Sequence, residues 1–148
     1  MKRNLVPHYS EILQQKCEPV EFNNSEVMQD LVDSFKAGPM IGLSAPQIGI
    51  NLQCSLCLFS TGLEIVANPE IEYLGKEIPS MERCLSFPHI VCKVMRNDKV
   101  KLTYFDSKWN KKEAILTGLD ALIAQHEYDH LQGVTMIKKA VTKQFKRA

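Results

Sequence analysis

The segment His126-Glu127-Tyr128-Asp129-His130 restricts the possible folds of this chain more than any other. On a helix, His126 and His130 stand one turn apart on the same face, where two imidazoles reach one metal ion. Glu127 lies about 100° around from His126. There it can touch a water on that ion without being a ligand, as a hydrolase's general base does. The preceding Leu119, Leu122 and Ile123 put the helix in the core, so other elements must wrap around it. A pair of surface histidines is the plainer reading of such a pattern, but buried polar clusters need partners, and these histidines are expected to point inward. A catalytic zinc or iron centre usually takes three protein ligands, so a third donor has to come from another part of the chain.

The candidates for that donor are the acids and the five cysteines, Cys17, Cys54, Cys57, Cys84 and Cys92. With 148 residues, 45% hydrophobic and 24% charged side chains, the chain reads as one globular domain over 1–148. A chain of that length buries roughly 70% of its unfolded surface and needs no disulfide framework. Polar residues after Met1-Lys2-Arg3 break up any secretory leader, so the thiols are read as core residues, ligands or nucleophiles. No apolar run approaches the roughly 20 residues of a membrane span, so a soluble, cytoplasmic protein with no membrane partner is expected. A net charge of +1 argues against the global basic field of a DNA-binding protein, and no specific DNA binding is expected. Cys54 and Cys57 lie on a strand pattern that turns them to opposite faces, which disfavours joint chelation and makes both core thiols. Cys17 and Cys92 have no polar company and are read the same way. Cys84 sits in Glu82-Arg83-Cys84-Leu85-Ser86-Phe87-Pro88 among polar residues, where a core thiol and a ligand fit equally well.

Apolar periodicity predicts two helices. In the first, Val27, Met28, Leu31, Val32 and Phe35 share a face, with Asn23 as cap, Glu26 as its third-position partner, and Gly38-Pro39 as the stop. The second runs from about Gly118 to Leu131, with Thr117 as cap, Asp120 in its first turn and Gly133 past its end. Between them, Leu52–Phe59, Glu64–Ala67, Ile90–Val94, Val100–Phe105 and Glu113–Leu116 are strand candidates, with a hairpin turn at Asp106–Lys111. The expected class is α+β: antiparallel sheets packed around a central C-terminal metal-binding helix, with an N-terminal helix.

Three stretches occur in a telling order: Gly42-Leu43-Ser44-Ala45-Pro46-Gln47-Ile48-Gly49, then Cys84-Leu85-Ser86 after Glu82, then the His126–His130 helix. Together they resemble the three signature motifs of the peptide deformylase family. Pro19-Val20 and Asn68-Pro69-Glu70-Ile71 are weaker echoes, so the resemblance covers about residues 12–137. It implies a hydrolase that removes the formyl group from formyl-methionyl nascent peptides and releases formate. It further implies one divalent metal ion held by Cys84, His126 and His130, with a water in the fourth position. Fe(2+) is favoured by the resemblance, while Zn(2+), Ni(2+) and Co(2+) suit the same sulfur and nitrogen donors. Glu127 would take the proton of that water and return it to the leaving amine. The side-chain amide of Gln47 and the backbone N–H of Leu85 would stabilise the oxyanion. Ile41 and Gly42 are placed where the main chain pairs with an extended substrate. Leu122 and Ile123 suit the wall of a methionine pocket and plain core alike, whereas Leu119 reads as core.

Further supporting roles fall to Asp129, which is expected to pair with a basic residue on the strands, Arg96 by its spacing, and to Glu82, which reads equally as an orienting group for the Cys84 loop or a solvated acid. The chain departs from the family pattern at Met40, where a glycine is usual, at Ser44, where alanine is, and at Arg83, where glycine is. Arg83 puts a cation beside the substrate channel, either narrowing it or selecting carboxylate-bearing substrates. From Lys138 the basic end reads as a solvated, frayed terminus, with transient contact to ribosomal RNA as the alternative. Such a compact form suits an organellar, phage-encoded or other reduced member of the family. Two rival functions are a zinc peptidase of the H-E-x-x-H type, disfavoured by Cys84 with Gln47, and a catalytically silent deformylase-like peptide binder, disfavoured by the presence of Glu127 and Gln47.

Overall fold

The computed structural model describes residues 1–145, with the side chains of 143–145 left aside. Its elements are helix α1 (Val27–Ser34), strands β1 (Gly42–Ser44), β2 (Cys54–Phe59), β3 (Gly62–Cys84), β4 (Phe87–Phe105) and β5 (Lys111–Thr117), helix α2 (Gly118–Leu131), the helical turn α3 (Met136–Lys139) and strand β6 (Thr142–Phe145). The strands form an antiparallel sheet in the order β1-β2-β3-β4-β5, with β6 added to β4. Together with the two main helices this is the expected α+β architecture.

Strand β2 shows how both faces of the sheet are filled. Cys54 and Leu56 join Val27, Met28 and Leu31 of α1 in one core cluster. Cys57 and Phe59 point the other way, into a cluster with Ile123 and Ala124 of α2. The period of two separates the C-x-x-C thiols and buries each in its own layer. Helix α2 touches β1 to β5 and buries residues around most of its circumference, Glu127, Asp129 and His130 among them.

Three of the strand candidates turn out to be parts of one long hairpin. Glu64–Ala67 begins the 23-residue β3, and the segments Ile90–Val94 and Val100–Phe105 are one continuous strand, β4. Asn68-Pro69, Gly75 and Pro79 suggest breaks, yet the ladder passes the first two through register shifts between Ala67 and Glu70 and between Leu74 and Glu77, and holds Pro79 in register opposite Met95. Asn68 (φ 49°) and Gly75 (φ 65°) take up the left-handed backbone at these bulges. Gln125 of α2 then ties down Asn97 of β4, accepting its N–H at 3.0 Å and donating to its carbonyl at 2.8 Å.

Other expectations are corrected. Helix α1 ends at Ser34, Val32 is 44% exposed, and the capping interactions precede it: Asn24 accepts from the Glu21 N–H at 2.7 Å. Thr117 occupies the cap position of α2 without a capping side-chain bond, and Asp120 accepts from the N–H and hydroxyl of Ser60. Strands β1 and β6 are unforeseen, since each is short and defined by a distant partner. The end read as frayed from Lys138 forms α3 and β6 up to Phe145, whereas Lys146, Arg147 and Ala148 lie outside the described residues. No helix among the described residues is long and apolar enough to cross a membrane.

Candidate metal centre

Three elements converge on the face of α2 that carries the histidines. The β3–β4 hairpin turns through Leu85-Ser86 and brings Cys84 to the helix. The donor atoms of Cys84, His126 and His130 all lie within 4.8 Å of one another. Cys84 Sγ is 3.5 Å from His130 Nε2. The Nδ1 of His126 meets Glu82 Oε1 at 2.8 Å; an ionised carboxylate only accepts, so Nδ1 carries the proton and Nε2 faces the cluster.

The charges suit a cation. Burial opposes ionisation of Cys84, but His130 and His126 beside it prevail and hold the thiol well below its usual range. Burial likewise opposes the protonated His126, and Cys84 and Glu82 prevail, holding its pKa well above the ordinary value. Both shifts favour negative charge on the sulfur with positive charge beside it, a setting in which a divalent ion would take the place of the imidazolium proton. The contrast with the other thiols is sharp, for burial pushes Cys17 up to about 11 and Cys54 up to about 12. Glu127 is 4% exposed, and burial raises its pKa. Its Oε1, like Nδ1 of His130, has no hydrogen-bond partner among the described residues. Sulfur and nitrogen donors at this separation, beside a carboxyl with an unused oxygen, fit a divalent ion with a reacting ligand next to it.

The loop before β2 supplies the third side of the site. Ser44, Pro46 and Gly49 set the short 3₁₀ turn Ala45–Ile48: Pro46 presets its φ and Gly49 (φ 81°) closes it. Within it Gln47 reaches back, and its Oε1 accepts from both the N–H and the hydroxyl of Ser44, each at 2.9 Å. The amide is thereby oriented with Nε2 toward the cluster, donating to Ser86 Oγ at 2.9 Å and Cys84 Sγ at 3.3 Å. Gly42 lies against Glu127: a Cβ there would come within 2.8 Å of the Glu127 Cδ, so this position admits no side chain while Glu127 keeps its place.

Behind the ligands lies a buried ionic chain. Arg96, 1% exposed, donates from Nη2 to Glu82 Oε1 at 2.7 Å, from Nε to Glu82 Oε2 at 2.8 Å, and from Nη1 to Asp129. Lys139 of α3 donates to the same Asp129 oxygen at 3.1 Å. Glu82 is thus no solvated acid; burial would raise its pKa, but Arg96 and His126 hold it far below the carboxylate range. In front of the ligands a cavity of 520 Å³ is lined by Pro39–Leu43 on one wall, Pro79–Leu85 on another, and Leu119, Leu122, Ile123, His126 and Glu127 of α2. Ile41, Gly42, Arg83 and Leu85 all lie on it. Leu119, expected in the core, is 62% exposed at its edge. Sequence reading missed Ser44, Ser86 and Lys139 as partners in this network; Ser86 alone carried a signal, its place beside Cys84-Leu85.

An antiparallel sheet folded around one helix, so that a hairpin-turn cysteine meets two helical histidines, defines a metal-dependent hydrolase. The model of the family described as polypeptide deformylase matches residues 2–146, and the chain belongs to that family, enzymes that remove the N-formyl group from nascent peptides. A peptide deformylase of Caldanaerobacter subterraneus subsp. tengcongensis is 35% identical over 133 residues, covering 88% of this chain and 84% of its own length. One from Aquifex aeolicus is 33% identical over 150 residues, with 94% and 88% covered. Among solved structures, the Thermotoga maritima peptide deformylase superposes with a TM-score of 0.87 at 27% identity, over 96% of this chain and 99% of that one. A probable peptide deformylase from Synechococcus phage S-SSM7 gives 0.84 at 30%, over 93% and 99%.

Proposed function

We propose that Cys84, His126 and His130 hold one divalent ion, Fe(2+) in the cell, and that Glu127 moves the proton in deformylation of formyl-methionyl peptides. The observation that carries this is the unpartnered Glu127 oxygen, buried beside three converging ligands. When bound, the ion supplies Lewis acidity, which lowers the pKa of a water and polarises the formyl oxygen. Glu127 accepts the proton lost as the nucleophile forms and delivers it to the leaving amine. Gln47, its amide fixed by Ser44, offers an N–H to the developing oxyanion, and the Leu85 N–H at the hairpin turn is the second donor. Ile41 and Gly42 meet the extended peptide, and Leu122 and Ile123 wall the methionine side chain, with Leu119 at its rim. Arg96 and Asp129 act through Glu82, which orients His126. The enzyme works in the cytoplasm on chains leaving the ribosome. Lys139 is committed to Asp129, which leaves other basic residues of its segment for transient ribosome contact.

The test is formate release from formyl-Met-Ala-Ser after anaerobic reconstitution with iron, nickel or zinc. Turnover that follows metal content is expected, with the iron form losing activity in air. Absence of formate with every metal overturns the reading. A second expectation concerns Gly42. Gly42→Ala displaces Glu127 and lowers kcat/KM about 100-fold, since misplacement by about 1 Å has that order of effect. Metal content and circular dichroism should match the parent; undiminished kcat/KM would show that the contact does not position Glu127.

A further inference from the structure

No hydrogen bond or ion pair joins the Arg83 side chain to another described residue. It is exposed, and it lines the cavity between two residues whose side chains turn inward, Glu82 and Cys84. Of the other charged groups lining the cavity, Glu82 is matched by Arg96 and His126, Cys84 and His126 face each other across the donor cluster, and Glu127 is buried at the back with one oxygen unpartnered. Among the described residues, Arg83 is therefore the one unpaired cation at the mouth. We propose that it makes this enzyme selective for substrates carrying a carboxylate within the two residues after formyl-methionine.

The proposal rests on the deformylase reading and deepens it. Strands lie about 4.8 Å apart and rise about 3.3 Å per residue, so a peptide laid along Pro79–Leu85 with its formyl group at Cys84 sets its methionine opposite Arg83 and its second and third residues about 3.3 and 6.6 Å further along, within reach of a long arginine side chain. A planar guanidinium with five donors and no partner of its own matches a carboxylate in two-point contact. The carboxylate has two possible sources, an acidic side chain or the free C-terminus of a short formylated peptide. Lysine at the same substrate positions meets like charge. Because the site is exposed, the discrimination is modest and salt-sensitive, about two- to fivefold in kcat/KM.

The experiment compares amidated formyl-Met-Ala-Ser with amidated peptides carrying Asp or Lys at the second or third position, and with the unamidated tripeptide. Each is measured on the metal-loaded parent, Arg83→Ala, Arg83→Lys and Arg83→Glu at low and high salt. The parent should favour Asp over Lys through KM, Arg83→Lys should keep part of the preference, Arg83→Ala should lose it and Arg83→Glu should invert it. High salt should flatten all four. A gain confined to the unamidated peptide, and lost in Arg83→Ala, assigns the contact to the C-terminus. An Asp-to-Lys ratio that is equal in the parent and the three variants, with no Arg83-dependent gain for the unamidated peptide, overturns the inference while amidated formyl-Met-Ala-Ser still turns over. Failure of that reference peptide in the parent would instead remove the deformylase reading.

Discussion

Glu127→Gln is expected to lower formate release by about 100- to 10,000-fold, the range spanned by general acid–base groups, while the protein still binds its metal. The expectation follows from how little else Glu127 does. One of its oxygens has no hydrogen-bond partner, its neighbour Gly42 presents only backbone, and it is separate from the Cys84, His126 and His130 donor set. Glutamine keeps the size and the contact with Gly42 but cannot accept and return a proton at neutral pH. Metal content by plasma spectrometry and melting temperature should match the parent within error, so the loss appears in kcat. A variant retaining more than about a tenth of parental kcat would exclude Glu127 as the proton carrier.

Arg96→Ala is expected to cost about 3–5 kcal/mol of stability, the loss seen when one member of a buried ion cluster is removed. Glu82 and Asp129 would then be buried without their shared counter-ion, and Lys139, at the edge, reaches only Asp129. For a chain of this size that amounts to a fall in melting temperature of about 10 °C or more. Metal affinity should fall about 10- to 100-fold as Glu82 stops orienting His126. Replacing the whole cluster, as Glu82→Leu, Arg96→Met and Asp129→Leu, should recover part of the stability and none of the metal affinity. A melting temperature unchanged by Arg96→Ala would show that the cluster is held together without it.

What could be read in advance depended on how locally each feature is encoded. The His126–His130 segment packs two candidate ligands and an acid into a single helical turn, so periodicity alone placed them together. Cys84 needed the order of three motifs, because a lone thiol among polar residues has no geometry of its own. The β3–β4 hairpin was hidden by Asn68-Pro69, Gly75 and Pro79, which mark turns in short-range terms; with a partner strand present the first two are bulges and Pro79 stays in register opposite Met95. Leu119 shows the limit of helical spacing: it keeps the apolar rhythm of α2 but stands 62% exposed at the cavity edge, where Ile123, one turn on, is buried at 3%. Ser44 stood only as a departure from alanine and proves to hold the Gln47 amide, a contact made within the short turn that carries both residues.

The hairpin turn that carries Cys84 has a thermodynamic consequence. The donors come from positions 84, 126 and 130, on elements that meet only when the sheet has closed over α2. An unfolded chain offers no such triad, so ligation is coupled to closure. Free ion at 100 times its dissociation constant adds about 2.7 kcal/mol to the native state. An ion held as proposed would thus double as a fastener between helix and hairpin, and depleting the cellular pool of that ion would weaken the enzyme's structure together with its turnover.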